Sequence, residues 1–329
     1  MNHRQALAEL GFFLPKTGTI SRAHNHRNLV QAFNPQYGMP RLLAELGREL
    51  AAEGQPERVL LTAENFAPAF AEPGFVDSLT ARCAALGYRI HVIAYLRPQP
   101  AAINSRYCQT IKTWAHNQSM AEFAAAEFVS VRQDYSLLFA NVLARKDIQV
   151  TLRPYSRNTL RDGLAANFMA ALGVGGEEAA RLGRAESTNR SPGPKTMAAW
   201  RELRARATAE LPGVRRHALA ALTIPLIKIT DELGWNDKAF YDINAELHHN
   251  IARHLAASND ALAQRVWNAR WDEVFGLEEA QIKPLNVYDP GSASREDREA
   301  FADFIEQATA AMHFFVGNAP DNDETGDDD

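Results

Sequence analysis

Residues 88–97, YRIHVIAYLR, read as a buried strand, and they run without a break into PQPAAINSRYCQTIKTWA at 98–115. There Ile103, Tyr107, Ile111 and Trp114 recur at helical spacing. Two prolines, Pro98 and Pro100, suit the first turn of that helix. A strand that feeds straight into a helix is the half-unit of a parallel sheet, because parallel neighbours need a crossover connection. The same pattern flanks it. RVLLTAENF (58–66) supplies a short apolar run at Val59, Leu60 and Leu61, and DIQVTLRPY (147–155) a third strand. Strands alternating with helices predict an α/β fold with a parallel sheet covered on both faces.

The helical segments between them are readable from their apolar spacing. Leu42, Leu43, Leu46 and Leu50 mark a helix over 39–53, Gly11 ends a short one over 5–10, and Gly87 stops one over 77–86. Further helices are expected near 134–145 and across LAANFMAALGV (164–174). From about residue 175 the texture becomes polar and loop-rich, and beyond Thr196 only helical patterns remain. The last of these, SREDREAFADFIEQATAAMHFF, opens on a Ser294–Asp297 capping box and carries an apolar stripe of Phe301, Phe304, Ile305, Ala308, Met312 and Phe315. The expected organisation is an α/β core over 1–175, a helical extension over 176–316 and a disordered acidic tail over 317–329.

Composition narrows the class of function. Of 329 residues, 46% are hydrophobic and 23% charged, an ordinary globular balance. The net charge of −5 owes much to the terminal DNDETGDDD, so the body is near neutral and a nucleic-acid surface is not expected. Cys83 and Cys108 form neither a disulfide framework nor a zinc spacing, which points to a reducing, cytoplasmic setting and no metal. No apolar run approaches a membrane span, and the first ten residues lack a signal-peptide core.

In open α/β sheets ligands sit beyond the carboxyl ends of the strands. That singles out Glu64, Arg97 and Arg153. Ser105 follows Arg97 by eight residues on the next helix. A guanidinium fork plus a hydroxyl near a helix N-terminus makes a monophosphate clamp. The same spacing fits an arginine that caps a neighbouring helix beside an incidental serine. Glu64 fits a surface residue capping the next helix, and Tyr155 a core aromatic at a strand exit. Among histidines, His24 and His26 could line an acceptor cleft, whereas His248 and His249 lie on a helix without a carboxylate at ligand spacing.

Arg97, Ser105 and Tyr107 in YLRPQPAAINSRYCQTIK resemble the 3′-phosphate motif of the sulfotransferases, enzymes that use 3′-phosphoadenosine-5′-phosphosulfate (PAPS) as sulfuryl donor. Other segments resemble a bacterial branch of that family in the same order. RVLLTAENF is similar to its strand ending in a hydroxyl residue and a glutamate. DYSLLFANVLARKDIQVTLRPYSRNTL with LAANFMAALGV resembles its third strand and following helix, and STNRSPGP and ASNDALAQRVW resemble its asparagine–serine segments. Together they span roughly residues 25 to 275. The resemblance implies a P-loop-type α/β fold and sulfuryl transfer to a hydroxyl or amine of a carbohydrate or related acceptor, without a metal. It implies that Arg97 and Ser105 bind the 3′-phosphate, Tyr155 the adenine, and that Glu64 is the catalytic base.

FFLPKTGTI (12–20) bears on the other half of the donor. The family's 5′-phosphosulfate loop reads roughly G-x-P-K-[ST]-G-T-T, and here Phe13 stands at the glycine and Ile20 at the second threonine. The Walker pattern also fails, since Pro15 replaces the glycine before Lys16. A second alignment suits the region better. Asn2, Arg4, Leu7, Gly11 and Pro15 approximate a later family segment, N-R-x-x-L-x-x-x-G-x-x-x-P, followed by histidines and a helix. On that alignment the family's first strand, loop and most of its first helix would lie upstream of Met1, or the chain is a degenerate relative. The alternatives are another P-loop phosphotransferase that uses Lys16–Thr19, and a non-catalytic binding protein.

Overall fold

The computed structural model describes residues 3–19, 25–156, 159–180, 191–214 and 216–317. In chain order the first elements are α1 (His3–Glu9), α2 (Arg27–Phe33), α3 (Pro40–Ala52), α4 (Phe66–Ala69) and α5 (Pro73–Ala85). Strand β1 (Ile90–Leu96) leads into α6 (Gln99–Lys112), α7 (Met120–Glu127), α8 (Tyr135–Leu138) and α9 (Ala140–Leu143). After β2 (Ile148–Pro154) come α10 (Leu164–Ala171), α11 (Gly176–Ala180), α12 (Pro194–Glu210), α13 (Arg216–Ala220) and α14 (Thr223–Glu232). The last are α15 (Ala245–Trp267), α16 (Trp271–Phe275), α17 (Glu278–Gln281) and α18 (Arg295–Gly317). Asn2, His24, the Ser187–Arg190 part of the STNRSPGP segment and the acidic stretch after Gly317 lie outside the described residues.

The chain divides into two compact units, each discontinuous in sequence. The first takes Met1–Pro98, Phe128–Glu186 and Arg253–Leu277; the second takes Gln99–Glu127, Ser187–Ala252 and Glu278–Asp329. The sequence texture had suggested continuous regions meeting near 175.

In the first unit β1 and β2 pair in parallel, in register from Ile90↔Ile148 to Leu96↔Pro154. The α/β class and the parallel pairing follow the expectation, but the sheet has two strands rather than three among the described residues. The segment 58–66, expected as a strand, makes one isolated bridge, Phe13↔Val59. The reason lies in its hydrogen bonds. Phe13 N–H donates to Arg58 O (2.8 Å) and Leu60 N–H to Phe13 O (2.8 Å), while His26 N–H donates to Thr62 O (2.6 Å). One edge of the segment is thus spent on Phe13 and His26, and no ladder joins it to β1.

The apolar core of this unit brings Leu29, Phe33, Leu46, Leu50, Phe75, Leu96 and Leu152 together. Leu43, Leu46 and Leu50 form the buried face of α3, at the predicted spacing. Phe66, Phe70 and Phe75 lie within 6.1–6.3 Å of one another, ring centroid to centroid. Leu7 and Leu10 pack with Phe12, Phe168 and Met169, laying α1 against α10. The helix expected near 134–145 breaks at Phe139 into α8 and α9, with Asp134 accepting from Leu137 N–H (3.1 Å) as the cap of α8.

Among its described residues the second unit has helices and one antiparallel bridge, Tyr241↔Asn286. Tyr107, the motif tyrosine, is fully buried, stacks on Phe240 with centroids 5.8 Å apart and donates its hydroxyl to Gln118 O (2.8 Å). It is a core residue. Trp114 closes α6 in the left-handed region (φ 60°) and donates Nε1–H to Thr223 Oγ1 (3.0 Å). In α18 the Ser294 hydroxyl accepts from Asp297 N–H (3.0 Å), half of the expected box. The Asp297 carboxylate instead pairs with Lys195. Phe304, Ile305, Ala308 and Met312 are buried as the stripe predicts, whereas Phe315 is exposed.

At Gly193 only hydrogen fits. A Cβ there would lie 1.8 Å from the Trp235 carbonyl oxygen, and its N–H donates to Asn236 Oδ1 (2.7 Å). Gly193→Ala is expected to lower stability by about 1–3 kcal/mol through overpacking against backbone that cannot retreat. Thermal unfolding of the variant beside Gly175→Ala, where open space surrounds the site, tests this; equal melting temperatures would contradict it.

Candidate functional site

The stretch 12–19 is a turn tied down by side chains from distant segments. Lys16 N–H donates to Glu49 Oε1 (2.7 Å) and Thr17 N–H to Glu49 Oε2 (2.9 Å). The Thr19 hydroxyl donates to Lys16 O (2.6 Å). Arg4 donates to the carbonyls of Leu14 and Pro15. His26 is fully buried, and its ring links two segments. Nδ1 accepts from Thr62 N–H (3.0 Å), so Nε2 carries the proton and donates to Pro15 O (3.0 Å). His26 is therefore a structural residue rather than a lining of an acceptor cleft.

These contacts answer what the loop holds. Successive backbone N–H groups aimed at one point are what a phosphate loop offers its phosphate. Here the Lys16 and Thr17 donors are taken by the protein's own Glu49 carboxylate. Burial pushes that carboxyl up, but the N–H groups of Lys16 and Thr17, the Thr17 hydroxyl and the nearby Arg4 outweigh it and hold it below the usual carboxylate range. Gly18 turns the loop at φ 74°, and the next described helix, α2, begins at Arg27.

The carboxyl ends of β1 and β2 carry a second constellation. Tyr155 N–H donates to Leu96 O (2.6 Å), extending the pairing one residue past β2 and setting Tyr155 beside Arg97. The Arg97 guanidinium lies 4.5 Å from the centre of the Tyr155 ring. Tyr135 donates its hydroxyl to Arg97 O (2.9 Å), and burial pushes that phenol up to about 12. Arg97 has no carboxylate partner among the described residues, and Tyr155 is 37% exposed. Arg153 differs. It donates to Asn167 Oδ1 (2.9 Å), which also accepts from the Tyr95 hydroxyl (2.8 Å), so this arginine is committed to the fold.

The remaining predicted residues are dispersed. Glu64 is exposed in the turn that precedes α4, its backbone carbonyl accepting from Ala67 N–H (3.3 Å), and Asn65 rather than Glu64 is the N-cap position. Ser105 is exposed on α6 and belongs to the second unit, whereas Arg97 belongs to the first. His248 is buried, which lowers its basicity, and His249 Nδ1 meets Glu278 Oε1 at 2.5 Å. Among the described residues no group of three or more His, Cys, Asp or Glu could hold a metal ion, and no helix is long and apolar enough to cross a membrane.

A cavity of about 520 Å³ lies within the first unit, bordered by Glu57–Ala63 and by Tyr88–Ile93. Its other walls include Leu46 and Leu50 of α3, Phe168 of α10 and Leu172 just beyond that helix. Sequence reading had not reached this cavity, Glu49, Tyr135 or Asn167. Asn167 left a signal, as the polar residue inside the otherwise apolar LAANFMAA helix. Glu49 left none. No protein-family model matches the chain, and neither a curated protein nor a solved structure matches it.

The turn's chemistry sets a pH dependence. His26 has its proton affinity lowered from the ordinary 6.5, chiefly by burial. Between its folded and ordinary values the unfolded chain binds more protons, so stability is complete above about pH 6.5 and falls as the pH drops. Glu49, also lowered, adds a second loss in the same direction at more acidic pH, as it titrates through its folded value. His26→Gln should flatten the first loss, and Glu49→Gln should speed amide exchange at Lys16 and Thr17. Denaturation midpoints between pH 5 and 8, and exchange read by mass spectrometry, check both.

Proposed function

We propose that the chain is a sulfotransferase-like protein of P-loop type whose first unit keeps a site for the 3′-phosphoadenosine end of PAPS. The observation that carries this is the pair Arg97–Tyr155 at the carboxyl ends of adjacent parallel strands. One side chain offers an always-charged fork without a carboxylate partner among the described residues. The other offers a partly exposed aromatic face on which a purine can stack. The order of motifs along the sequence supports the same reading, and the proposal rests on first-unit residues alone.

In the reaction proposed, a sulfuryl group passes in line from the donor phosphate to a hydroxyl or amine of a carbohydrate-like acceptor. Glu64 takes the acceptor proton, and Arg97 holds the departing nucleotide by its 3′-phosphate. No metal is needed in that scheme. The 5′ end has no comparable anchor in Lys16–Thr19, whose two backbone donors face Glu49. That occupancy weighs against a phosphotransferase built on this loop. It favours, as the second reading, a protein that binds the 3′-phosphoadenosine end without catalysing transfer.

Calorimetry with 3′-phosphoadenosine 5′-phosphate and with 5′-AMP tests the site. The 3′-phosphate should strengthen binding by about tenfold or more, and Arg97→Ala should erase the difference, since a charge-assisted fork is lost. Equal affinity of the wild type for both nucleotides would refute the site. Glu64→Gln, with PAPS and a panel of sugar acceptors, should cut turnover by about 10²-fold while nucleotide affinity is unchanged. Nucleotide binding without transfer in the wild type would select the second reading.

A further inference from the structure

Arg97 stands between β1, which ends at Leu96, and Pro98. Proline confines the residue before it to extended backbone, which narrows its conformations without selecting one. The carbonyl groups on either side of the Arg97 α-carbon complete the selection. Leu96 O accepts from Tyr155 N–H (2.6 Å), and Arg97 O accepts from the Tyr135 hydroxyl (2.9 Å). The first bond joins the two strands. The second comes from α8, 38 residues further along the chain. With both carbonyls held, the direction in which the Arg97 side chain leaves the backbone is set. Its guanidinium then lies 4.5 Å from the centre of the Tyr155 ring.

Tyr135 is itself anchored. It is buried, and its ring packs 6.2 Å from that of Trp271, centroid to centroid. With four residues, α8 is too short to persist alone, and Asp134 secures its start. The Asp134 carboxylate accepts from Leu137 N–H (3.1 Å), from the Ser136 hydroxyl (2.8 Å) and from the Ser258 hydroxyl. Burial pushes that carboxyl up, but these donors outweigh it and hold it below the usual carboxylate range. The bonds are therefore charge-assisted at neutral pH. Ser258 belongs to the part of α15 that lies in the first unit. A continuous set of contacts thus runs from α15 through Asp134 and Tyr135 to the Arg97 backbone. The same part of α15 ties the other strand, because Trp267 Nε1–H donates to Leu152 O (2.9 Å) in β2.

We propose, resting on the nucleotide reading above, that Tyr135 is a positioning residue for the 3′-phosphate. Its hydroxyl holds the Arg97 backbone so that the guanidinium stays on the Tyr155 ring, and this sets how strongly the pair favours a phosphate attached to a stacked base. Tyr135 acts through Arg97 and touches no ligand itself. A fork ordered before the ligand arrives has less freedom to lose on binding. Tyr88 supplies the comparison. Its hydroxyl donates to Pro56 O (2.8 Å), the same kind of bond in the same unit, but to a residue whose side chain carries no polar group.

Tyr135→Phe in the full chain tests it, since the variant loses the hydroxyl and keeps the ring beside Trp271; Tyr88→Phe is the control. The first measurement needs no ligand. It follows the Arg97 Nε–H resonance in arginine-labelled protein, assigned by its loss in Arg97→Lys. The Tyr155 ring displaces that resonance, and Tyr155→Leu gives its position without the ring. Tyr135→Phe should move it toward that position, and Tyr88→Phe should leave it in place. The second measurement is the ratio of affinities for 3′-phosphoadenosine 5′-phosphate and 5′-AMP by calorimetry. Tyr135→Phe should lower the ratio by about threefold or more while the affinity for 5′-AMP holds, and Tyr88→Phe should not change the ratio. A resonance that Tyr135→Phe leaves unmoved overturns the proposal, and so does a moved resonance with an unchanged ratio. Equal effects in Tyr88→Phe overturn it too, because they mark a general loosening. A wild type without preference for the 3′-phosphate refutes the nucleotide reading instead, and the resonance then decides by itself whether Tyr135 positions Arg97.

Discussion

Seven parallel register pairs between β1 and β2 fix where everything else in the first unit can go. Strands that run the same way cannot be joined by a tight turn, so the chain must leave after Leu96 and return at Ile148, and it does so through α6, α7, α8 and α9. The register also sets the chemistry. Because Leu96 stands opposite Pro154, the next residue on each strand, Arg97 and Tyr155, emerges at the same end of the sheet. The Tyr155–Leu96 bond then brings ring and guanidinium together. A slip of one residue would send one of the two to the opposite face.

Two strands do not make a self-sufficient sheet, and the burial shows how the unit manages. The apolar weight sits in helix faces and rings: Leu46 and Leu50 of α3, and Phe70 and Phe75 in their aromatic cluster. The sheet is secured on its β2 edge. Its β1 residues Ile90–Ile93 also border the first-unit cavity, where side chains such as those of Leu46 and Leu50 have empty space beside them and lose dispersion contacts. Filling that space would stabilise the unit even if nothing else changed.

The legible parts of this structure are those written locally. Leu43, Leu46 and Leu50 gave the face of α3, Gly11 and Gly87 ended helices in the left-handed region (φ 76° and 86°), and Ser294 capped α18. The strand-to-helix step at 88–115 was readable because its apolar spacing changes from one period to another. The rest depends on residues far apart in the chain. Glu49 reaches a loop more than thirty positions earlier, and nothing in the surrounding RELAA announces it. The run at 58–63 has the composition of a strand, but whether it joins a ladder depends on what lies beside it. For the same reason the texture change at 175 did not reveal units threaded from three segments each. Strand-end position singled out Glu64, Arg97 and Arg153, Tyr155 came from the family resemblance, and the structure brings Arg97 and Tyr155 into contact.

The two places where the sequence suggests an anion differ in what an anion would meet there. A phosphate entering the 16–19 turn would have to displace Glu49 and would then sit near the carboxylate it expelled, a like-charge pair in a partly buried setting. Arg4, which favours the charged form of Glu49, adds to the preference for the resident carboxylate. At Arg97 no carboxylate among the described residues needs to be displaced: the guanidinium already lies against Tyr155, which limits its conformational freedom before any ligand arrives. A fork held in place beside an aromatic surface suits an anion attached to a planar ring better than a free inorganic ion, because only the former engages both groups. The lysine, threonine and glycine near the N-terminus drew attention to phosphate. The backbone donors of Lys16 and Thr17 face Glu49, whereas at the end of β1 Arg97 has no carboxylate partner among the described residues.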